Sequence, residues 1–185
     1  NGAVLIGNNK TIINAHNASV NNANSALIGG ADISITTDTL SNTSNSTLSA
    51  ENSLRVTSSH LDNTNGLMEA AETLALDIID SIYLNDSNGD IQAGKSIDIN
   101  TQGDFVNDKQ IEALGDLNIS AKQSFVNNMS IITGGNLNIN ASDITNMENT
   151  LLWTMGDMNL EARNGTFTNK MRGNILSMGD ISIIA

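Results

Sequence analysis

The sequence has 185 residues, a formal net charge of −12, and neither cysteine nor proline. The missing cysteines exclude a disulfide framework and a thiolate zinc site, and the acidic charge argues against nucleic acid as a partner, because phosphate backbones bind basic surfaces. No apolar run approaches the ~20 residues of a membrane-spanning helix, and no signal peptide opens the sequence, so we expect any export signal to lie outside it.

The most regular feature of the sequence is a repeat of about 21 residues. Its clearest copies begin with Gly-Asp-Leu-Asn-Ile at 115–119, Gly-Asn-Leu-Asn-Ile at 135–139 and Gly-Asp-Met-Asn-Leu at 156–160. Each copy closes on an asparagine, as Phe125-Val126-Asn127 does. The closing asparagines, 19 to 23 residues apart, are Asn42, Asn63, Asn85, Asn107, Asn127, Asn146 and Asn169. A period of this length along the chain is typical of a solenoid.

Residues 1–85 carry divergent copies of the repeat, in which Ile33-Ser34-Ile35 aligns with Leu117-Asn118-Ile119. The segment 69–79 could instead form an amphipathic helix, because several of its apolar residues are three or four positions apart. The repeat favours a strand, since Leu74 and Leu76 hold the positions of Ile97 and Ile99 one coil later. We therefore predict a strand in this segment.

Residues 86–185 carry regular copies, and their alternating apolar residues predict three short strands per coil. The first strand contains Ile111, Ile131, Leu152 or Ile175. The second contains Leu117/Ile119, Leu137/Ile139, Met158/Leu160 or Ile181/Ile183. The third contains Phe105, Phe125, Ile144 or Phe167. Each strand would pair in parallel with its copy one coil away. The sequence thus predicts an all-β protein with a single domain over 1–185, a right-handed parallel β-helix of about nine coils.

Two kinds of corner residue follow from this fold. The closing asparagines are expected to form a ladder of side-chain amides and to adopt the left-handed backbone conformation that asparagine tolerates. A second corner is marked by glycines, where we expect positive φ. These glycines are Gly94, Gly115, Gly135, Gly156 and Gly179.

Catalytic motifs are weak in this sequence. Asp116, Asp157 and Asp180 would stack in one corner column, with Asn136 interrupting it, and are expected to be solvated turn residues. His16 and His60 lie about two coils apart without a cysteine or an acidic cluster evident around them. We find neither a nucleophile elbow nor a phosphate-binding glycine loop. We predict no enzyme activity, no catalytic residues, no cofactor and no metal.

One face of the predicted helix carries apolar residues that point outward. If Ile131 and Leu152 point inward, alternation turns their neighbours to the surface. The exposed set would be Ile132, Trp153, Met155, Leu176 and Met178. An apolar patch containing the only tryptophan suggests a partner surface. The alternatives are that a flanking segment covers this face, or that the alignment is shifted.

The copies at 115–121, followed by Phe125-Val126-Asn127, resemble the haemagglutinin repeats of filamentous-haemagglutinin-like exoproteins. These proteins are two-partner secretion passengers and include adhesins, haemolysins and contact-dependent growth inhibition effectors. The resemblance implies a secreted segment on the bacterial outer surface, exported by an outer-membrane transporter through a domain absent from this sequence. It also implies adhesion or binding to a receptor protein or glycan on a target cell. We expect a monomer. The alternatives are a carbohydrate-active β-helix enzyme, a purely structural shaft and a trimeric phage-type fibre.

Overall fold

A computed structural model describes residues 2–84 and 89–185, and within these ranges the chain contains strands and no helix. In chain order the strands are β1 (Val4–Asn22), β2 (Leu27–Asn42), β3 (Thr47–Asp62), β4 (Leu67–Ala70), β5 (Thr73–Ile78), β6 (Ile82–Leu84), β7 (Ile91–Ala93), β8 (Ser96–Thr101), β9 (Phe105–Asn107), β10 (Ile111–Ala113), β11 (Asp116–Ala121), β12 (Ser124–Asn127), β13 (Ser130–Thr133), β14 (Leu137–Ala141), β15 (Asp143–Asn146), β16 (Leu151–Thr154), β17 (Met158–Ala162), β18 (Phe167–Asn169), β19 (Asn174–Ser177) and β20 (Ile181–Ile184).

These strands form three parallel sheets that run along the solenoid. The large sheet follows the order β1-β2-β3-β5-β8-β11-β14-β17-β20, with β4 and β7 beside it. The four-stranded sheet is β10-β13-β16-β19, and the five-stranded sheet is β18-β15-β12-β9-β6. Each strand pairs in parallel with a copy in a neighbouring coil, which confirms the parallel β-helix. Nine strands along the large sheet correspond to about eight turns, close to the nine coils predicted. The handedness stays a prediction.

The pairing register matches the repeat alignment. Leu117 lies between Ile97 and Leu137 in the large sheet, and Phe125 lies between Phe105 and Ile144 in the five-stranded sheet. The rings of Phe105 and Phe125 stack with centroids 5.7 Å apart and planes 9° from parallel. These columns are buried and form one continuous apolar core. Apolar residues of successive coils therefore stack on one another, which explains why the apolar positions recur at the period of the coil.

The disputed segment at 69–79 is extended. It contains the end of β4 and the whole of β5, whose side chains alternate between half-buried and buried. Leu74 pairs with Ile97, and Leu76 pairs with Ile99. The prediction of a strand is confirmed, because the long-range register outweighs a local helical spacing.

The first three coils differ from the predicted three short strands. β1, β2 and β3 contain 19, 16 and 16 residues, so each wraps around the corners as one bent strand. The register shifts between Gly7 and Lys10, between Ala15 and Ser19, and between Gly30 and Asp32. Such irregularities bend a strand without ending its pairing. Coils with three separate strands begin at β4.

The closing asparagines form the predicted ladder inside the molecule. Asn107 Nδ2 donates to Asn127 Oδ1 at 2.8 Å, and Asn127 Nδ2 donates to Asn146 Oδ1 at 2.8 Å. The same bond joins Asn22 to Asn42, Asn42 to Asn63, and Asn146 to Asn169. Asn22 is a rung that the sequence alignment did not include, and Asn85 lies outside the described residues.

The expected left-handed conformations are found at other residues. Among the described residues no glycine has positive φ, and neither do the closing asparagines. The asparagines end extended strands, and the left-handed residues follow them in the turns, as Asn45 and Asn65 do. The corner glycines allow the backbones of two coils to approach each other closely, because a Cβ at Gly115 would overlap the carbonyl oxygen of Lys95 in the preceding coil. Both predictions about φ were therefore wrong.

Candidate functional site

The four-stranded sheet turns a row of apolar side chains outward. Its inward residues Ile131 and Leu152 are fully buried and pair with each other. The residues that follow them, Ile132 and Trp153, pair in the same register and point outward, but both are half-buried rather than exposed as expected. Trp153 pairs with Leu176 in the next coil. Strand alternation therefore places three apolar residues from successive coils in one outer row.

The corner after this sheet adds a second apolar column. Leu114, Met155 and Met178 occupy equivalent positions and are 81, 54 and 71% exposed. The backbone N–H of Met155 donates to the carbonyl of Thr133, and that of Met178 donates to the carbonyl of Thr154, both at 3.1 Å. The methionines therefore stand in adjacent coils beside the outer row.

All five sequence-predicted residues lie on this face: Ile132, Trp153, Met155, Leu176 and Met178. The structure adds Leu151, which is half-buried two positions before Trp153, and three exposed residues at the corners, Leu114, Met129 and Met171. Strand alternation could have identified Leu151, whereas Met129 and Met171 lie in turns where alternation does not apply. We call these nine residues the apolar stripe. Partner binding by the stripe stays a prediction.

An acidic column borders the apolar stripe. Asp116, Asp157 and Asp180 each follow an apolar corner residue by two positions, and Asn136 interrupts the column, as predicted. Asp116 Oδ1 accepts a hydrogen bond from the backbone of Asn136 at 2.7 Å, and Asp157 Oδ1 accepts one from the backbone of Asp180 at 2.9 Å. One carboxylate oxygen of Asp116 and one of Asp157 thus accept a backbone hydrogen bond from the neighbouring coil, and both side chains remain in contact with solvent.

The opposite corner carries charges of both signs. It contains Lys109, Glu148, Lys170 and Arg172. Lys109 Nζ lies 2.7 Å from Asp90 Oδ1, so this cation is part of an ion pair between coils. The column of Asp116, Asn136, Asp157 and Asp180 therefore carries acidic residues without a basic one, whereas Lys95 lies at the same corner one coil earlier and pairs with Glu72 at 2.7 Å.

The two histidines are on the surface and remain apart from any acidic cluster of metal-binding size. His16 is exposed, and His60 Nδ1 contacts the carboxylate of Asp80. Within residues 2–84 and 89–185, no three His, Asp or Glu side chains are grouped closely enough to hold a metal ion. His60 therefore stabilises a contact between coils.

A cavity of about 830 Å³ lies beside β7, and its lining includes Glu51, Glu69, Asp90 and Glu112. Two of these carboxylates already have partners across coils: Glu69 Oε1 accepts from Ser49 Oγ at 2.6 Å, and Asp90 pairs with Lys109 at 2.7 Å. The same cavity is lined by apolar atoms of Ile97 and Ile99. Glu69 and Asp90 therefore act in coil stacking.

The repeat and the stacked coils agree with a comparison against protein families. The model of the haemagglutinin repeat matches residues 1–81 and 83–170. The chain belongs to the haemagglutinin repeat family. This family is typical of secreted and cell-surface proteins and is generally structural or adhesive rather than enzymatic. The haemagglutinin repeats cover the divergent N-terminal coils as well as the regular ones.

Other comparisons of this haemagglutinin repeat chain give no match, either among curated proteins or among solved structures. In the part of the chain that the structure describes, no helix is long and apolar enough to cross a membrane.

Proposed function

We propose that this chain is a rigid segment of a secreted cell-surface exoprotein, and that it contacts a receptor on a target cell. The haemagglutinin repeat supports a filamentous-haemagglutinin-like segment with a structural or adhesive role. Stacked parallel coils make such a segment stiff, because the strands of successive coils are hydrogen-bonded to one another along the sheets. The protein would act as an adhesin, a haemagglutinin or a contact-dependent growth inhibition effector, exported by an outer-membrane transporter.

The observation that carries the contact role is the apolar stripe. Its outward side chains, including Trp153, Met155 and Met178, lie together, whereas the outer row of the large sheet is polar at Asp98 and Asn118. The outer row of the five-stranded sheet is apolar at Tyr83, Val106 and Val126 and continues as threonine in the next two coils. Contiguous apolar surface of this kind marks an interaction site, and tryptophan is the residue that most often dominates one.

Two observations favour receptor contact over the other two functions, a purely structural shaft and a carbohydrate-active enzyme. A purely structural shaft needs no exposed apolar face, and a carbohydrate-active enzyme needs carboxylates free to act on substrate. Of the four carboxylates in the cavity beside β7, Glu69 and Asp90 are engaged between coils, and Glu112 accepts from Gln110 in its own coil. We therefore favour receptor contact over both.

Binding of the fluorescently labelled chain to intact Gram-negative bacteria tests this proposal. We expect saturable binding that Trp153→Asp abolishes, because a carboxylate placed in an apolar contact must be desolvated on binding. The matched control is Tyr83→Asp, which removes an exposed aromatic residue from the five-stranded sheet, away from the stripe. Circular dichroism verifies that both variants keep the fold. Equal binding by Trp153→Asp and the wild type would contradict the assigned face. If neither bound, receptor contact would be refuted and the chain would be a purely structural shaft.

A further inference from the structure

The apolar stripe is rich in methionine. Of the seven methionines, Met68 and Met158 are buried in the core. The other five lie at the two corners that flank the four-stranded sheet. They are Met129, Met147, Met155, Met171 and Met178. Methionine is flexible and polarizable, so a methionine-rich surface can adapt to apolar side chains of several shapes.

The acidic column gives this surface a directional charge. Asp116, Asp157 and Asp180 lie along one edge of the stripe, each two residues after an apolar corner residue, and Asp157 and Asp180 are exposed. The chain as a whole carries a net charge of −12. A partner seated on the stripe therefore places its own edge beside a row of carboxylates in a field that is negative overall.

From this arrangement we infer that the apolar stripe binds a protein segment with an apolar face flanked by lysine or arginine. The apolar face would cover Trp153 and the methionines, and the cations would lie over Asp157 and Asp180. Charge complementarity at the border of an apolar contact fixes the orientation of a partner and speeds its association. This inference rests on the proposed function, because it names the partner class for the same face.

The same charges disfavour two other occupants. An anionic lipid surface would be repelled by the chain, since membrane-surface binding relies on basic residues. A second copy would bring another molecule with a net charge of −12 and another aspartate column to the interface. A basic amphipathic segment is therefore the occupant whose charge fits.

The test uses three designed peptides that lack tryptophan. The first is an amphipathic peptide of leucine and lysine, the second has the same composition in scrambled order, and the third replaces every lysine of the first with glutamate. Trp153 is the only tryptophan and reports on the face directly. We expect the first peptide to bind saturably, to shift the Trp153 emission to the blue, and to bind more weakly as salt is added. Equal binding of the scrambled peptide, or of the glutamate peptide, would overturn the inference.

Variants of the chain locate the contact. With a labelled leucine-lysine peptide, we expect Met155→Asp/Met178→Asp to weaken binding by about tenfold or more, as for residues central to an interface. Asp157→Asn/Asp180→Asn should also weaken binding and reduce its salt dependence. The matched control is Asp38→Asn/Glu51→Gln, which removes two exposed carboxylates elsewhere and changes the net charge equally. If Asp157→Asn/Asp180→Asn and this control lost the same amount of peptide affinity, the effect would come from the net charge of the chain alone. That result would contradict the assignment of the acidic column to the border of the site.

Two further measurements address the other occupants. A dimer in sedimentation experiments that Met155→Asp/Met178→Asp disrupts would show that a second copy occupies the stripe. Protection of Met155 and Met178 from peroxide in the full-length exoprotein without a partner would show that a flanking segment covers it. Either result would overturn the inference. Bacterial binding that needs Trp153 without any preference for the basic peptide would refute the partner class alone and retain the proposed function.

Discussion

An interior asparagine of the ladder connects its coil to the coils on both sides through one side chain. Asn127 accepts from Asn107 and donates to Asn146, both at 2.8 Å, and its side chain is fully buried. A buried amide is costly unless both its donor and its acceptor are satisfied. The ladder satisfies both with identical neighbours, which explains why asparagine recurs at this position in coil after coil.

Replacing one interior rung should therefore destabilise the molecule more than replacing an exposed amide. We expect Asn127→Ala to lower the free energy of unfolding by about 2–4 kcal/mol, because it removes the Asn127 acceptor of the buried Asn107 Nδ2 and one of the two donors to Asn146 Oδ1, the other being Thr150 Oγ1. The control Asn159→Ala removes the same atoms from an exposed amide, whose Nδ2 donates to Asn138 Oδ1 at 2.8 Å. It should lower the free energy of unfolding by less than about 1 kcal/mol. Urea denaturation measures both. Equal losses would show that burial of the ladder has no energetic importance.

The corners between strands depend on how closely two coils approach. At Gly115 the backbone of one coil meets the carbonyl of Lys95 in the coil before it, and there is no space for a Cβ. The later corners at Gly156 and Gly179 meet the side-chain oxygens of Asn136 and Asp157 instead. Glycine at these corners is therefore required by contact between coils, whatever the φ of the residue itself.

Substitution of a corner glycine tests this explanation. We expect Gly115→Ala to destabilise the chain by about 2 kcal/mol or more, because a methyl group would push the backbones of two coils apart. Gly29→Ala is the control, since its Cβ would lie 3.3 Å from the flexible side chain of Ile6 and at an ordinary contact distance of 3.7 Å from the carbonyl oxygen of Ser49. This substitution should lower the free energy of unfolding by less than about 1 kcal/mol. Thermal and urea denaturation compare the two. A neutral Gly115→Ala would contradict the steric explanation.

The strands were predictable from the sequence where the coil period repeats a pattern within the chain. Leu74 and Leu117 were assigned to the correct column because each has an apolar copy one coil away. The reason for the corner glycines was not predictable, because the clash at Gly115 involves Lys95 of another coil and is not visible in local sequence. The same limit applied to the functional face: strand alternation identified Trp153, whereas the turn residue Met171 follows no alternation.

The whole molecule is one rod in which each coil stacks on its neighbours, and Arg163 Nη2 also reaches the carbonyl of Ala121 two coils away at 3.5 Å. The large sheet continues from β1 to β20 and joins the divergent N-terminal coils to the regular ones. The apolar stripe exists only because this stacking brings Ile132, Trp153 and Leu176 of three coils into one row. The proposed contact therefore depends on the register of the coils as much as on the residues.

Distances along the outer face of the large sheet test this register most directly. The chain has no cysteine, so spin labels can be introduced in pairs without background. Ser34 is separated from Asn118, Asn138 and Asn159 by four, five and six coils in one column. With Ser34→Cys paired with Asn118→Cys, Asn138→Cys or Asn159→Cys, we expect mean distances of about 19, 24 and 29 Å, one strand spacing per coil. Distances that do not increase from pair to pair would contradict the stacked rod.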